Sequence, residues 1–552
     1  MDASRRRLVQ GGFLLGASST LQGCALFDIL TRGQSQVKPI TCNDKTNPVV
    51  DAHAHFFNGT DLLAGPYLTG PVVGDLVNYY NIRLIRIFMK LTGRAVQRLA
   101  RVLSITASDE LAYLESSKNK LLSEGKGHTF SYNELGYKET SEAFYEALTK
   151  EEKAELQQAI LEYENQRNAI LEQSLTSFEL KSLKYTVVDR NLLFDAIISE
   201  PYEEKGDDTA KGLVDKWNFL RIDVLAAFVL RMLTKRSSNL AEFQSAYSID
   251  SGGPSVINTT DITVDFDYWL GDCEDQYKSS IHSQVKLHEK LHLISRGYTI
   301  PILGVNPMKL ISKGHSYLDF IEDTLRKGIY RGVKIYPTHG FAPNGELYEN
   351  VRNFMNLCDA SEPPNEKSVQ SALIDIYNVC KNYDAVVMAH SDKSKGFPKN
   401  AAEFGGPKYW KKVFAISGLK DLKVNFGHLG EFKSSANANW TSEFLELMSE
   451  GNRYGDLGFW FTRDSKALTI RLFKELKRLG DSNLYKRILY GSDWFMLTSK
   501  PDWKPYLKRA DQYFDEIIDE DIFANHYSGQ RAKNEFFYQN AKSLYGNSVS
   551  GC

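Results

Sequence analysis

Short apolar runs that each end in a metal-ligand type of residue most limit how this chain can fold. Near the start, Val49-Val50-Asp51-Ala52-His53-Ala54-His55 carries two histidines two residues apart on a β-branched run. Later come Gly332-Val333-Lys334-Ile335-Tyr336-Pro337, Val386-Val387-Met388-Ala389-His390, Val424-Asn425-Phe426-Gly427-His428 and Ile488-Leu489-Tyr490-Gly491-Ser492-Asp493. Each polar residue closes or follows a run that reads as a buried strand. Alternate residues of a strand point to one side, so His53 and His55 face a common point. Neutral imidazoles and carboxylates at successive strand ends are what a divalent-metal site on a barrel rim requires.

The runs recur in a rhythm. After a first strand ending in the histidine pair, strands are expected at Ile262–Leu270, Ile300–Val305, Gly332–Tyr336, Ala385–Ala389, Lys423–Gly427, Asp456–Phe461 and Arg487–Tyr490. Helical patterns fill the gaps, as at Gln284–Ser295, Tyr317–Lys327 and Ser368–Lys381. Eight βα units close most economically into an α/β fold, the (β/α)8 TIM barrel. The barrel is expected over 47–59 and 256–548.

Residues 60–255 interrupt that rhythm as a large helical insertion between strands 1 and 2. Helical patterns run over Asp75–Ser104, Ser108–Gly125, Ser141–Leu183 and Thr209–Ser245. An insertion there emerges on the rim where barrel active sites lie, placed to act as a lid or cap. The basic amphipathic stretch Ile82 to Leu91 reads as a core-facing helix with arginines outward, with membrane contact as the other reading.

Residues 1–24 read as a targeting segment and 25–46 as a linker. Ser4-Arg5-Arg6-Arg7-Leu8-Val9 resembles a twin-arginine export signal. Leu21-Gln22-Gly23-Cys24 resembles a lipobox, with Gln22 where a small residue is usual. Export to the periplasm or cell envelope, with a lipid anchor at Cys24, is the expectation. Cys42, Cys273, Cys358, Cys380 and Cys552 show no zinc-finger spacing, and Cys42 with Cys552 is a candidate disulfide.

The net charge of −2 on 552 residues leaves no basic stripe for nucleic acid. Neither a Gly-x-Ser-x-Gly elbow nor a phosphate-binding Gly-Lys-Ser loop occurs. A small-molecule substrate is the expected partner.

The motif set resembles the amidohydrolase superfamily, and within it the amidohydrolase-2 group of metal-dependent hydrolases and decarboxylases. Val50-Asp51-Ala52-His53-Ala54-His55 looks like that group's first-strand metal motif. Ile300 to Pro307 is similar to its third strand, Gly332 to Pro337 to its fourth, and Asn540 to Gly546 to its terminal helix. The resemblance implies that His53, His55 and Asp493 bind a divalent metal, with His390 as fourth ligand. Zinc is the leading metal and manganese the second, one ion being favoured. Asp493 would move the proton of an attacking water to the leaving group. His428 would hold a second metal or hydrogen-bond the polarised carbonyl oxygen. Lys334 has three readings: a carboxylated bridge between two metals, a contact for an anionic substrate, or an ion-pair partner at the mouth. His339 and Trp494 are placed near substrate, each with a packing role as the alternative, and Asp265 or Asp267 is expected near the mouth. His282, His288, His292, His315, His128 and His526 are expected outside the site. The activity implied is metal-dependent hydrolysis of a C–N or C–O bond. Decarboxylation on the same scaffold and a catalytically inactive binding lipoprotein are the alternatives.

Overall fold

The computed structural model describes residues 47–62, 67, 104–116, 149–154, 158, 228, 231–248, 253–269, 278–348, 364–393, 399–430, 440–461, 466–500, 502–523 and 527–549. Eight strands lie in the order of the chain, every neighbouring pair parallel. They are β1 Pro48–Asp51, β2 Ser255–Ile262, β3 Thr299–Gly304, β4 Gly332–Ile335, β5 Val386–His390, β6 Val424–Gly427, β7 Arg453–Asp456 and β8 Ile488–Leu489. Backbone hydrogen bonds run from the first strand to the eighth, Ala52 N to Tyr490 O at 2.9 Å and Asp493 N to His53 O at 2.7 Å. A parallel bridge between Ala54 and Trp494 continues that seam. The eight-unit TIM barrel expected from the strand rhythm is the fold.

Alternation along the strands divides the side chains into two cores. Val50, Ala52, Ile300, Ile302, Val386, Met388 and Leu489 pack together inside the barrel. Tyr538, Ala541, Leu544 and Tyr545 join them from the C-terminal helices and plug the barrel floor. Val49, Val256, Val333, Val387, Val424 and Ile488 belong to the larger core between strands and outer helices. In β4 and β6 the inner row carries Lys334 and Asn425, level with Met388 of β5, and His390 follows two residues on.

Two strands sit earlier than their apolar patterns suggested. β2 occupies Ser255–Ile262, whereas 262–270 was expected. Its sequence, Ser-Val-Ile-Asn-Thr-Thr-Asp-Ile, looks like a loop, yet all eight residues are buried. Pairing on both sides satisfies its backbone, and Asn258 and Thr260 find partners in Gly297 O and Ala54 N. β7 ends at Asp456, where a strand was expected to begin.

From the insertion, α1 Ala107–Ser116 and α2 Arg236–Tyr247 are described. The stretch 82–91, Cys24, Cys42, Cys273, Cys358, Cys552, His128 and His526 lie outside the described residues. Cys380 is a buried free thiol. Among the described residues no helix is long and apolar enough to cross a membrane.

Candidate metal centre

The C-terminal strand ends bring His53, His55, Lys334, His390, His428 and Asp493 into one buried region. Ring centroids of His53 stand 5.5 Å from His55 and 4.6 Å from His428, and His428 stands 4.7 Å from His390. The Nε2 atoms of His53 and His55 are each 3.8 Å from Asp493 Oδ1. Two ligands each about 2.1 Å from one ion stand roughly 3–4 Å apart, so this spacing suits a shared divalent cation.

The other ring nitrogens explain why the lone pairs converge. His53 Nδ1 donates to Asp456 Oδ1 at 2.8 Å, His55 Nδ1 to Ile262 O at 3.3 Å and His428 Nδ1 to Gly458 O at 3.0 Å. Backbone carbonyl and ionised carboxylate oxygens only accept, so each bond fixes its tautomer and leaves Nε2 as the bare nitrogen. Burial pushes the His53 and His55 pKa values well below the ordinary histidine range, helped by Lys334 and by His53 respectively. Burial likewise takes His428 down to about 4. Neutral imidazoles are the protonation state that metal ligation needs.

Asp456 is one residue that sequence reasoning missed. Besides His53, its carboxylate accepts from Asn425 Nδ2 at 2.9 Å and from the backbone N–H groups of His428 and Gly458 at 3.1 and 3.0 Å. Burial raises its pKa, while His428 and Lys334 oppose the rise. It links the β1 histidine, the β6 histidine and β7 through one carboxylate, the outer-shell arrangement that orients metal-bound imidazoles. A signal was present: Gly455-Asp456-Leu457-Gly458 repeats the form of Gly427-His428-Leu429-Gly430.

The ligand atoms fall into two adjoining triplets. Those of His53, His428 and Asp493 lie within 4.8 Å of one another, and so do those of His390, Asp392 and His428. His390, expected beside His53 as fourth ligand, is thus grouped differently: its Nε2 meets Asp392 Oδ1 at 2.9 Å. Asp392 was also missed, although it follows His390 by two. His428 and Asp493 both hold left-handed backbone, φ 67° and 54°, a conformation rare outside glycine that clusters at functional sites.

Lys334 is fully buried, with Nζ 3.3 Å from His53 Nε2. Burial lowers its pKa to about 8, and Asp456 and Asp493 work against that fall. The lone pair of His53 therefore already faces a cation.

The remaining expected residues are spread around this centre. His339 stacks on Trp269 at 3.7 Å and 19° and on Tyr336 at 5.0 Å and 8°. It fills an aromatic wall, where a substrate contact was expected, and burial keeps its imidazole neutral. Trp494 is fully buried among Phe243, Tyr247 and Trp503, away from the mouth. Its role is packing because its ring points outward from the seam into the aromatic core. Asp265 accepts from Lys309 Nζ at 2.7 and 2.9 Å and from Tyr317 at 2.8 Å, which spends its charge locally. His288, expected on the exterior, is buried with Nδ1 2.8 Å from Asp261 Oδ1, against the outer face of β2 and remote from the ligands.

The family model described as amidohydrolase matches residues 321–546. No curated protein matches the sequence. Among solved structures, a candidate metal-dependent hydrolase from Lactobacillus casei shares 12% identity, covers 91% of this chain and 96% of its own, and has a TM-score of 0.37. The 5-carboxyvanillate decarboxylase of Novosphingobium aromaticivorans shares 10% identity over 53% of this chain and 77% of its own, with a TM-score of 0.32. A candidate 2-pyrone-4,6-dicarboxylic acid hydrolase from Pseudomonas putida shares 11% identity over 53% and 83%, with a TM-score of 0.31. The chain is similar to the amidohydrolase family over the stretch that holds Lys334, His390, His428, Asp456 and Asp493, while His53 and His55 reach the same centre from outside it.

Proposed function

We propose that this protein is a metal-dependent hydrolase that cleaves a C–N or C–O bond of a small molecule. The observation that carries the reading is the convergence of bare Nε2 atoms on Asp493, each Nδ1 being held by a fixed acceptor. His53, His55, His428 and Asp493 would hold the ion, with zinc the first choice and manganese the second. A divalent ion supplies Lewis acidity in such a site and lowers the pKa of a bound water to about 7.

The chain's own groups do the rest. Asp493 takes a proton from the attacking water and returns it to the leaving nitrogen or oxygen. Asp456 holds the His53 ring in one tautomer and orientation. Lys334 presents a positive charge beside His53, where it attracts an anionic oxygen of the substrate. The triplet of His390, Asp392 and His428 offers room for a second ion, and one ion is our reading. An exported enzyme anchored through Cys24, acting on a small molecule and not on nucleic acid, completes the proposal.

Elemental mass spectrometry of the zinc-reconstituted full chain tests it. About one equivalent in the wild type, lost in His53→Ala and Asp493→Ala, is the expected result. Wild-type protein that stays metal-free would move the chain to the binding-lipoprotein reading. Release of carbon dioxide from substrate would move it to decarboxylation.

A further inference from the structure

Helix α3, Ile281–Ile294, links β2 to β3 and buries a seam of Ile281, Gln284, Val285, Leu287, His288 and Leu291. A seam of this spacing is ordinarily apolar throughout. Two of its members are polar here, one turn apart, and both reach the β2 segment. Gln284 Oε1 accepts from Val264 N at 3.4 Å, just beyond the strand. His288 Nδ1 stands 2.8 Å from Asp261 Oδ1, and both side chains are sealed from solvent. Neither has another hydrogen-bond partner among the described residues. Apolar side chains would fill the same space without taking two polar groups out of water. What the pair adds over packing is a directed contact that fixes where β2 lies against α3.

Asp261 sits between the two residues that hold a ligand segment of β1. On one side, Thr260 Oγ1 accepts from Ala54 N at 3.0 Å. On the other, Ile262 N donates to Ala54 O at 3.1 Å, and Ile262 O accepts from His55 Nδ1 at 3.3 Å. Successive strand residues face opposite ways, so Asp261 points out to the helix while Ile262 joins the inner core. The bond to Ile262 O is the one that leaves His55 Nε2 bare beside Asp493. It is also the longest of its kind at the centre, against 2.8 Å for His53 and 3.0 Å for His428. A slight outward shift of β2 would therefore break it first.

We propose that Asp261 and His288 are positioning residues of the metal centre: the pair anchors β2 to α3 and so holds the carbonyl of Ile262 against the His55 ring. This rests on the hydrolase reading of the same centre.

Competitive chelator titration of zinc on the full chain, with melting temperature read on the same preparations, tests the assignment. Three variants stand beside the wild type. His288→Asn keeps an amide nitrogen near the place of Nδ1, and His288→Leu removes the donor and strands Asp261. Asp261→Val/His288→Leu replaces both partners by apolar groups, a change that is often close to neutral for stability. Zinc affinity should weaken about 10-fold in His288→Leu and equally in the double variant, as when an outer partner of a ligand is lost. The melting temperature should fall in His288→Leu and return toward wild type in the double variant. His288→Asn should bind zinc nearly as the wild type does.

A pair that only stabilises the fold would let the double variant recover zinc affinity together with its melting temperature, and that result overturns the proposal. So would a folded His288→Leu with wild-type affinity, or His288→Asn as weak as His288→Leu. A double variant that stays destabilised or fails to fold marks the pair as part of the fold's stability and overturns it as well. Should His288→Leu not fold, the double variant and His288→Asn decide. A wild type that binds no zinc overturns the hydrolase reading and this inference with it. Zinc bound equally by the wild type and the double variant removes the role of the pair alone.

Discussion

Around His53 three glycines do what no other residue could. A Cβ on Gly458 would lie 2.9 Å from His53 Nδ1 and 3.0 Å from Asp456 Oδ1, and one on Gly491 would lie 2.9 Å from His53 Cβ. On Gly427 it would meet Ala389 O at 2.9 Å and His53 Cε1 at 3.1 Å. The imidazole thus has a slot cut through three strand ends, and Asp456 supplies its anchor. Asp456→Asn keeps the shape and removes the charge that steadies His53. It should weaken zinc binding about 10- to 100-fold, as losses of such outer partners do, in a competitive chelator titration. At this scale the sequence was generous with His53, His55, His428 and Asp493, whose strand-end positions are marked by flanking apolar runs. Asp456 escaped because its role exists only through partners: His53 is 403 residues from it in the chain.

Loops after the strands carry the wall of the mouth, and ion pairs set their shape. The segment after β2 presents Phe266 and Trp269 to His339 and is staked by Lys309, which bonds Asp265 twice and also reaches Asp267. Lys278 adds a second contact to Asp267, and Asn306 Nδ2 donates to Asp267 O at 2.6 Å. Lys309→Met would leave Asp265, 3% exposed, with Tyr317 as its main donor. Breaking one side of a buried pair costs about 3–5 kcal/mol, so urea unfolding should show a loss of that order. β2 itself was misplaced by sequence reasoning because Asn258, Thr259, Thr260 and Asp261 look like turn residues. Only parallel neighbours on both sides make such a run a buried strand.

A fully buried cation ties the segment leaving β1 to α1 and α2 and reaches the barrel at Ser279. Arg236, opening α2, donates to both Asp61 carboxylate oxygens, to Glu110 Oε2 of α1 at 3.1 Å and to Ile105 O at 3.2 Å. It also reaches Thr60 Oγ1 and Ser279 Oγ, at 2.9 and 3.0 Å. Burial alone would lower its pKa, but Asp61 and Glu110 more than offset this and hold it above the ordinary arginine value. The segment leaving β1, α1 and α2 are therefore one unit, and Tyr67 is carried to the mouth by it. Arg236→Ala strands two buried carboxylates and should cost about 3–5 kcal/mol in chemical denaturation.

The eight-fold strand rhythm and the strand-end residues His53, His55, His390, His428 and Asp493 were written in local pattern, whereas the bounds of β2 and β7 were not. That information is local because apolar alternation and strand-end chemistry repeat within a few residues of each other. Which imidazole nitrogen is bare, which histidines stand together, and why Trp494 turns to the outer core depend on atoms hundreds of residues apart. Barrel closure alone sets those distances, since a hydrogen bond or a shared ligand is decided over a few ångströms of space and leaves no mark on spacing along the chain.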